Sequence, residues 1–254
     1  MAMTPLFVDA RVMIGRSFRH SIRNVEALLT SVILPIVIML LFVTVFGGAI
    51  QTTDRYVDYV VPGIILLCAG FGSANTAVTV VTDLTNGIVK RFRTMPMSSS
   101  AVLVGHVTAS VARNLVATSL VVAVAFLVGW RPNATLTEWL ASAAVILMFV
   151  GAISWASAAV GVLVRTPDAA NGFTFMLLFL PYISSAFVPT ETLPSFLQGF
   201  ARHQPATPII ETLRGLWMGT PIGNQGWWAI GWCIGILATS YLTASWLFGR
   251  RDAV

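Results

Sequence analysis

The chain has 254 residues, of which 56% are hydrophobic and only 10% charged. Water-soluble domains carry about a quarter charged residues, so this chain cannot cover itself with a solvated polar shell, and its mean hydropathy of +0.82 agrees. The net charge of +5 would suggest nucleic acid in a soluble protein; in a membrane chain it reads as the cation excess of cytoplasmic loops, with no nucleic-acid partner.

Residues 1–26 come first. On a helical wheel Phe7, Ile14, Phe18, Ile22 and Val25 share one side, while Asp9, Arg16, Arg19, His20 and Arg23 share the other. Only Arg11 intrudes on the apolar side, where its stem can snorkel. The pattern predicts an amphipathic helix lying on the inner membrane surface, its arginines attracted to anionic lipid. It is not a cleaved signal, because charge continues to Glu26 and the following apolar run is long enough to stay in the membrane.

Six apolar runs follow, at about 27–46, 59–81, 101–129, 139–164, 172–188 and 227–248. Lipid offers backbone groups no partner, so each is expected to be a helix. The fifth is interrupted by Pro181, which either bends that span and shapes an outer gate or fits a packing kink. The expected fold is therefore all-α and integral to the membrane, one domain over residues 1–254.

Orientation follows from the cations. With both termini inside, the cytoplasmic set is Arg11, Arg16, Arg19, Arg23, Lys90, Arg91, Arg93, Arg165, Arg250 and Arg251. The outer set is Arg55, Arg131, Arg202 and Arg214. Ten against four places the termini in the cytoplasm, in a multi-pass protein of the plasma (inner) membrane. Arg113 falls within the third run. It either sits at the inner interface, if that span starts well below the lipid, or faces a dimer contact or a transport path.

Between the second and third runs the chain reads DLTNGIVKRFRTMPMSSS, residues 83–100, and contains Lys90, the only lysine. Asp83 can cap a short helix over about 84–92, in which Ile88 and Phe92 make an apolar ridge beside Lys90, Arg91 and Arg93. Pro96 ends it. An apolar ridge is superfluous in a loop that only fixes topology, so the stretch reads as a docking knob for a cytosolic partner.

Residues 189–226 form the largest connection, outside the cell in this orientation. Pro194 and Ser195 open one short helix. Thr207 as N-cap and Pro208 at the first position begin another, with Ile209, Leu213, Leu216 and Trp217 on one face and Gly219 at its end. Trp227 and Trp228 mark the outer interface.

Catalytic chemistry is missing. No phosphate-binding G-x-x-x-x-G-K-[ST] loop, G-x-S-x-G elbow or H-E-x-x-H pair occurs. His20, His106 and His203 lie far apart and beside no carboxylate cluster, which argues against a metal. Asp58, Asp83, Glu138 and Asp168 all fall at or beyond span ends, unlike the midplane carboxylate expected of an ion-driven carrier. Cys68 and Cys233 lie inside apolar runs and read as packing residues. The chain is not expected to be an enzyme, and its energy source lies elsewhere.

Three patches carry a resemblance. DLTNGIVKRFRTMP followed by AVLVGHVTASVARNLVATSLVVAVAFLVGWRP, then PATPIIETLRGLWMG before the last span, and Pro35 with Phe46-Gly47 near the first, resemble type-2 ABC exporter permeases of the daunorubicin-resistance, drug-efflux branch. The resemblance implies six spans, an interfacial helix at 1–26, a coupling helix within 83–97 and extracellular helices within 189–226. It implies two separate ATPase subunits, which bind the ATP and Mg, and a second permease copy or paralogue. By the same resemblance Asp83, Thr85, Asn86, Gly87, Lys90, Arg91, Phe92, Arg93, Met95 and Pro96 would couple to the ATPase, and Arg11, Arg16, Arg19 and Arg23 would belong to the interfacial helix. Ser98–Ser100 and Gln204 stand where family members often carry a basic residue and an Asn.

Candidate path residues are the polar or aromatic groups Ser73, Asn75, Thr76, Thr79, Met176, Phe179 and Tyr182 of the second and fifth spans. The resemblance implies that such a path, without fixed carboxylates, carries a hydrophobic or amphiphilic drug or lipid outward. The rival readings are an exporter of an envelope lipid or glycan and a non-transporting membrane scaffold or channel subunit.

Overall fold

The computed structural model describes residues 25–48, 55–86 and 99–251. The expected interfacial helix, with Arg11, Arg16, Arg19 and Arg23, lies outside them. So do Gly87, Lys90, Arg91, Phe92, Arg93, Met95 and Pro96 of the expected coupling element.

Each of the six apolar runs contains a helix. They are α1 (Val25–Leu41), continued by a π-helical turn (Phe42–Phe46), then α2 (Tyr56–Thr85), α3 (Ser99–Val128), α4 (Leu136–Leu163), α5 (Pro167–Tyr182) and α8 (Gln225–Arg251). Between the last two come α6 (Ser195–His203) and α7 (Ala206–Met218). Among the described residues no strand occurs. Four helices, α2, α3, α4 and α8, are long and apolar enough to cross a membrane, whereas the apolar part of the first, Ser31–Phe46, is shorter.

The ends of the helices follow local chemistry. α4 begins in a capping box: the Thr135 side chain accepts from the Glu138 N–H, and the Glu138 carboxylate accepts from the Thr135 N–H at 2.6 Å. α5 begins where Thr166 accepts from the Ala169 N–H at 3.3 Å and Pro167 takes the first position. It starts five residues before the expected run and stops at Tyr182, one residue past Pro181. The segment expected to continue it to residue 188 is not helical. Proline removes one backbone donor of the last turn, and Gln204 then donates from Nε2 to the Leu180 and Ile183 carbonyls at 2.9 and 2.6 Å.

α7 starts two residues earlier than the Thr207-Pro208 pair predicts. Pro205 already has helical angles (φ −60°, ψ −30°), so Ala206 opens the helix. Thr207 is therefore not the cap. Its hydroxyl donates to the Ala201 carbonyl and accepts from the Ser185 N–H, tying α6, α7 and the end of α5 together. At the other end Gly219 takes the left-handed conformation (φ 72°) that glycine tolerates, and its N–H bonds to the Gly215 carbonyl at 2.9 Å.

α2 is the axis of the bundle. It packs against α1, α3, α4, α5 and α7, and Val60, Ile64, Leu67 and Cys68 are completely buried. α8 lies at the periphery, against α4 above all, through a stripe of Ala229, Cys233, Ala244 and Phe248 and a Trp155–Tyr241 edge contact at 5.0 Å. Cys68 and Cys233 are both buried free thiols. At one end of the bundle Trp130, Trp139 and Trp217 interlock at 5.1 to 5.9 Å between centroids. Trp217 there donates from Nε1 to Ser142 Oγ at 3.0 Å. This aromatic knot clamps α7 onto the α3–α4 connection, and the Asn133 N–H adds a bond to the Trp217 carbonyl at 2.9 Å.

Candidate functional site

Three sets of polar residues stand out along the bundle. The first is a seam where α2, α3 and α4 meet. Asn114 donates from Nδ2 to Ser73 Oγ (3.1 Å) and to the Ser110 carbonyl (3.0 Å). Ser154 of α4 closes the seam, 3.3 Å from Ser73 Oγ and 2.9 Å from Ser110 Oγ. The seam exists because Gly72 has no side chain: a methyl group there would run into the Asn114 amide. Beside it, Arg113 donates from Nη2 to the Gly72 carbonyl at 2.9 Å and to Thr76 Oγ1 at 3.4 Å. Arg113 thus reaches across to α2 within its own chain, a contact that neither sequence reading anticipates.

The structure separates the candidate path residues into two groups. Ser73 and Thr76 are buried among α2, α3 and α4, while Asn75 and Thr79 are half-buried and joined by a Thr79 Oγ1 to Asn75 carbonyl bond at 2.7 Å. On α5, Met176 and Phe179 are 65% and 62% exposed and Tyr182 39% exposed. Small hydroxyls on the first group serve the chain's own helix contacts. The second group is open to whatever surrounds this chain.

The second set lies at the end of α2 that leads into the basic stretch. The helix does not restart at Asp83 as expected; it runs on through Thr85, and the Asn86 N–H bonds to the Thr82 carbonyl at 2.9 Å. Asp83 is therefore not a cap. Its carboxylate lies 3.2 Å from His106 Nε2 on α3, and both side chains are nearly buried. Of the expected coupling residues, Asp83, Thr85 and Asn86 sit here, with Thr85 Oγ1 donating to the Val81 carbonyl at 3.0 Å. The His106–Asp83 pair escaped the sequence because the two are 23 positions apart; only the register of the α2–α3 hairpin brings them together.

The third set is at the opposite end, where Arg55, Arg131 and Arg214 of the predicted outer set gather around the first turn of α2. Asp58 there accepts from Arg55 Nε at 3.0 Å and from the Arg131 N–H at 3.3 Å. Arg214 of α7 reaches the same turn. It donates to Glu211 Oε1 (2.6 Å), the Tyr59 carbonyl (3.0 Å) and the Ser185 carbonyl (2.8 Å), with its guanidinium 3.8 Å over the Tyr59 ring. Asp58, Tyr59, Ser185, Glu211 and Arg214 form one wall of a cleft of about 1100 Å³, whose other walls come from 189–203, from 218–224 and from the start of α8 with Trp228 and Trp232. Sequence reading placed Arg214 outside but gave it no partner; the Glu211/Arg214 spacing of three on a helix is the signal that could have found the ion pair.

The model of the family described as ABC-2 type transporter matches residues 9–218, which span all three sets. The daunorubicin resistance ABC transporter permease protein DrrB1 of Streptomyces coeruleorubidus is 29% identical over 206 residues, covering 80% of this chain and 71% of that protein. The probable doxorubicin resistance ABC transporter permease protein DrrC of Mycobacterium tuberculosis is 25% identical over 232 residues, covering 88% and 84% respectively.

Proposed function

The chain belongs to the ABC-2 type transporter family, and we propose that it is the permease subunit of an ATP-driven exporter that moves hydrophobic or amphiphilic drugs, or lipids, out across the plasma membrane. The observation that carries this reading is the family match across residues 9–218, on a chain whose relatives are drug-resistance permeases and whose described residues include four helices able to cross a membrane. All six apolar helices span in this reading, with both termini in the cytoplasm. The gathering of Arg55, Arg131 and Arg214 at one end of α2, and of the chain leading into Lys90, Arg91 and Arg93 at the other, supports that orientation.

Two copies, or this chain and a paralogue, enclose the path, and two ATPase subunits bind ATP and Mg beneath them. ATP-driven closure of the ATPases moves the 83–97 element. The hairpin of α2 and α3 passes that motion on, because His106–Asp83 fastens the two helices at the base and the Asn114 seam fastens them higher up. The pair then moves as one body, and access changes from the inner side or the membrane to the outside. The exposed Met176, Phe179 and Tyr182 of α5 are the surface offered to cargo.

The test is to purify the chain with the ATPase encoded beside it and measure ATP hydrolysis and drug efflux together in proteoliposomes. Replacing Lys90, Arg91 and Arg93 with Ser should leave the complex folded and abolish cargo-stimulated hydrolysis. Undiminished transport by that variant would sink the coupling assignment.

A further inference from the structure

α5 ends at a proline whose surroundings are held from outside the helix. The last carbonyls of a helix lack donors within it, and Pro181 withholds one more N–H. Gln204 supplies two donors. Both hydrogens of its Nε2 amide are used, on the Leu180 carbonyl at 2.9 Å and the Ile183 carbonyl at 2.6 Å. The nitrogen has to face this way, because the amide oxygen in its place would be repelled by two carbonyl oxygens. Gln204 is 4% exposed, and its backbone is fixed as the cap of α6, with its N–H on the Phe200 carbonyl at 3.0 Å. Ser184 Oγ donates to the Pro181 carbonyl at 2.5 Å. Three carbonyls around the break are thus engaged, two of them by one residue of the α6–α7 junction.

The chain after the break is fastened as well. The Ser185 carbonyl accepts from Arg214 Nη2 at 2.8 Å, and the Phe187 carbonyl accepts from Tyr56 Oη at 3.0 Å. Ala186 fits against Gly63, where an added methyl carbon would lie 2.5 Å from its Cβ. The Tyr182 ring stacks on Phe187 at 5.1 Å and 17°, and Phe187 lies 4.3 Å from Phe42 of the π-helical turn. Residues 183–187 therefore belong to a block with α7 and the first turns of α2, and α5 meets that block at Pro181. Among the described residues, Gln204 is the only side chain from another element that bonds to carbonyls on both sides of this joint.

We propose that Gln204 is a positioning residue, whose amide fixes the angle at which the exposed face of α5 leaves the block of α2 and α7. Met176, Phe179 and Tyr182 then keep one arrangement while access changes, and Pro181 is a braced corner, not a hinge. Without the two donors, α5 pivots at Pro181 and Tyr182 parts from Phe187. The bearing on cargo rests on the exporter reading above; the bracing of the corner does not.

Two variants test it. Gln204→Met keeps the length of the side chain and removes both donors, whereas Gln204→Asn keeps the amide but is one methylene shorter and reaches only one carbonyl. Amide hydrogen exchange of the full chain in a maltoside detergent is followed by mass spectrometry. In Gln204→Met the peptide containing 183–187 should exchange at least about tenfold faster while the peptide containing 209–217 stays as in the parent, with Gln204→Asn in between. With the ATPase encoded beside the chain and rhodamine 6G as the probe, the half-saturating concentration for stimulated ATP hydrolysis should rise about threefold in Gln204→Met, at an unchanged maximum. Unchanged exchange at 183–187, or equal acceleration of both peptides, would overturn the braced corner. Faster local exchange with an unchanged half-saturating concentration would overturn the positioning of the cargo face. A parent complex that rhodamine 6G does not stimulate would count against the exporter reading and the cargo role with it, and exchange would still decide the corner.

Discussion

The second and last membrane helices make an instructive pair. Both α2 and α8 are long and apolar enough to cross a membrane, and each contains several glycines. Their surroundings are opposite. α2 is buried on nearly all sides; a side chain added at Gly63 would strike Ala186, and one at Gly72 would strike Asn114. α8 touches the bundle along one stripe, and at Gly231 and Gly235 an added methyl would meet nothing within 4 Å among the described residues. Hydropathy thus identifies a membrane helix but says nothing of whether its neighbours are protein or lipid. Close approach through small residues does, because helices in lipid gain little from burying apolar surface against one another and much from packing and hydrogen bonds.

The strongest way to break this comparison is Gly72→Ala. The new methyl must displace the Asn114 amide from the seam, since the seam is enclosed by α3 and α4. A loss of about 2–3 kcal/mol is expected, read from thermal or denaturant unfolding in detergent. A variant as stable as the parent would show that α2 and α3 are not in the contact described.

Next in size is Asn114→Ala, which removes the amide's bonds to Ser73 and Ser110 but leaves Ser73, Ser110 and Ser154 able to bond one another. Hydrogen bonds between membrane helices are individually modest, so about 1 kcal/mol is expected. Combining it with Gly72→Ala sharpens the point. Once the amide is gone the methyl has room, so the double variant should be more stable than the sum of the two losses implies, by at least about 1 kcal/mol. Strict additivity would mean that the clash lies elsewhere.

Much of the architecture was legible before any coordinates. Six apolar runs gave six helices, and the basic stretch with PATPIIETLRGLWMG was enough to place the chain in its family. What escaped has a common cause. Asp83 looked like a cap because it follows an apolar run and precedes a basic one, but its carboxylate is engaged by His106 from another helix, and α2 simply continues. Thr207 looked like a cap because it precedes proline, but Pro205 had already turned the chain into the helix. The Asn114 seam was not visible because Ser73, Ser110 and Ser154 read as isolated hydroxyls until three helices bring them together. Local signals fix which segments are helical; partners contributed from 20 to 150 positions away require the register of the whole bundle.

The smallest expected effect tests the other half of the comparison. At Gly235 the α8 surface is bare, and Thr239 Oγ1 already satisfies itself on the Gly235 carbonyl at 2.7 Å. A larger side chain there intrudes on nothing in the chain and removes a glycine from a helix interior, which by itself favours the helix. Gly235→Leu should therefore change stability by no more than about 0.5 kcal/mol in either direction. It should also leave the fraction of cross-linked dimer unchanged, because leucine on a lipid-facing surface is as well solvated as the hydrocarbon around it. Loss of the dimer with stability intact would mean that a second copy, rather than lipid, covers this face of α8, and the contrast with α2 would then be one between two kinds of protein contact.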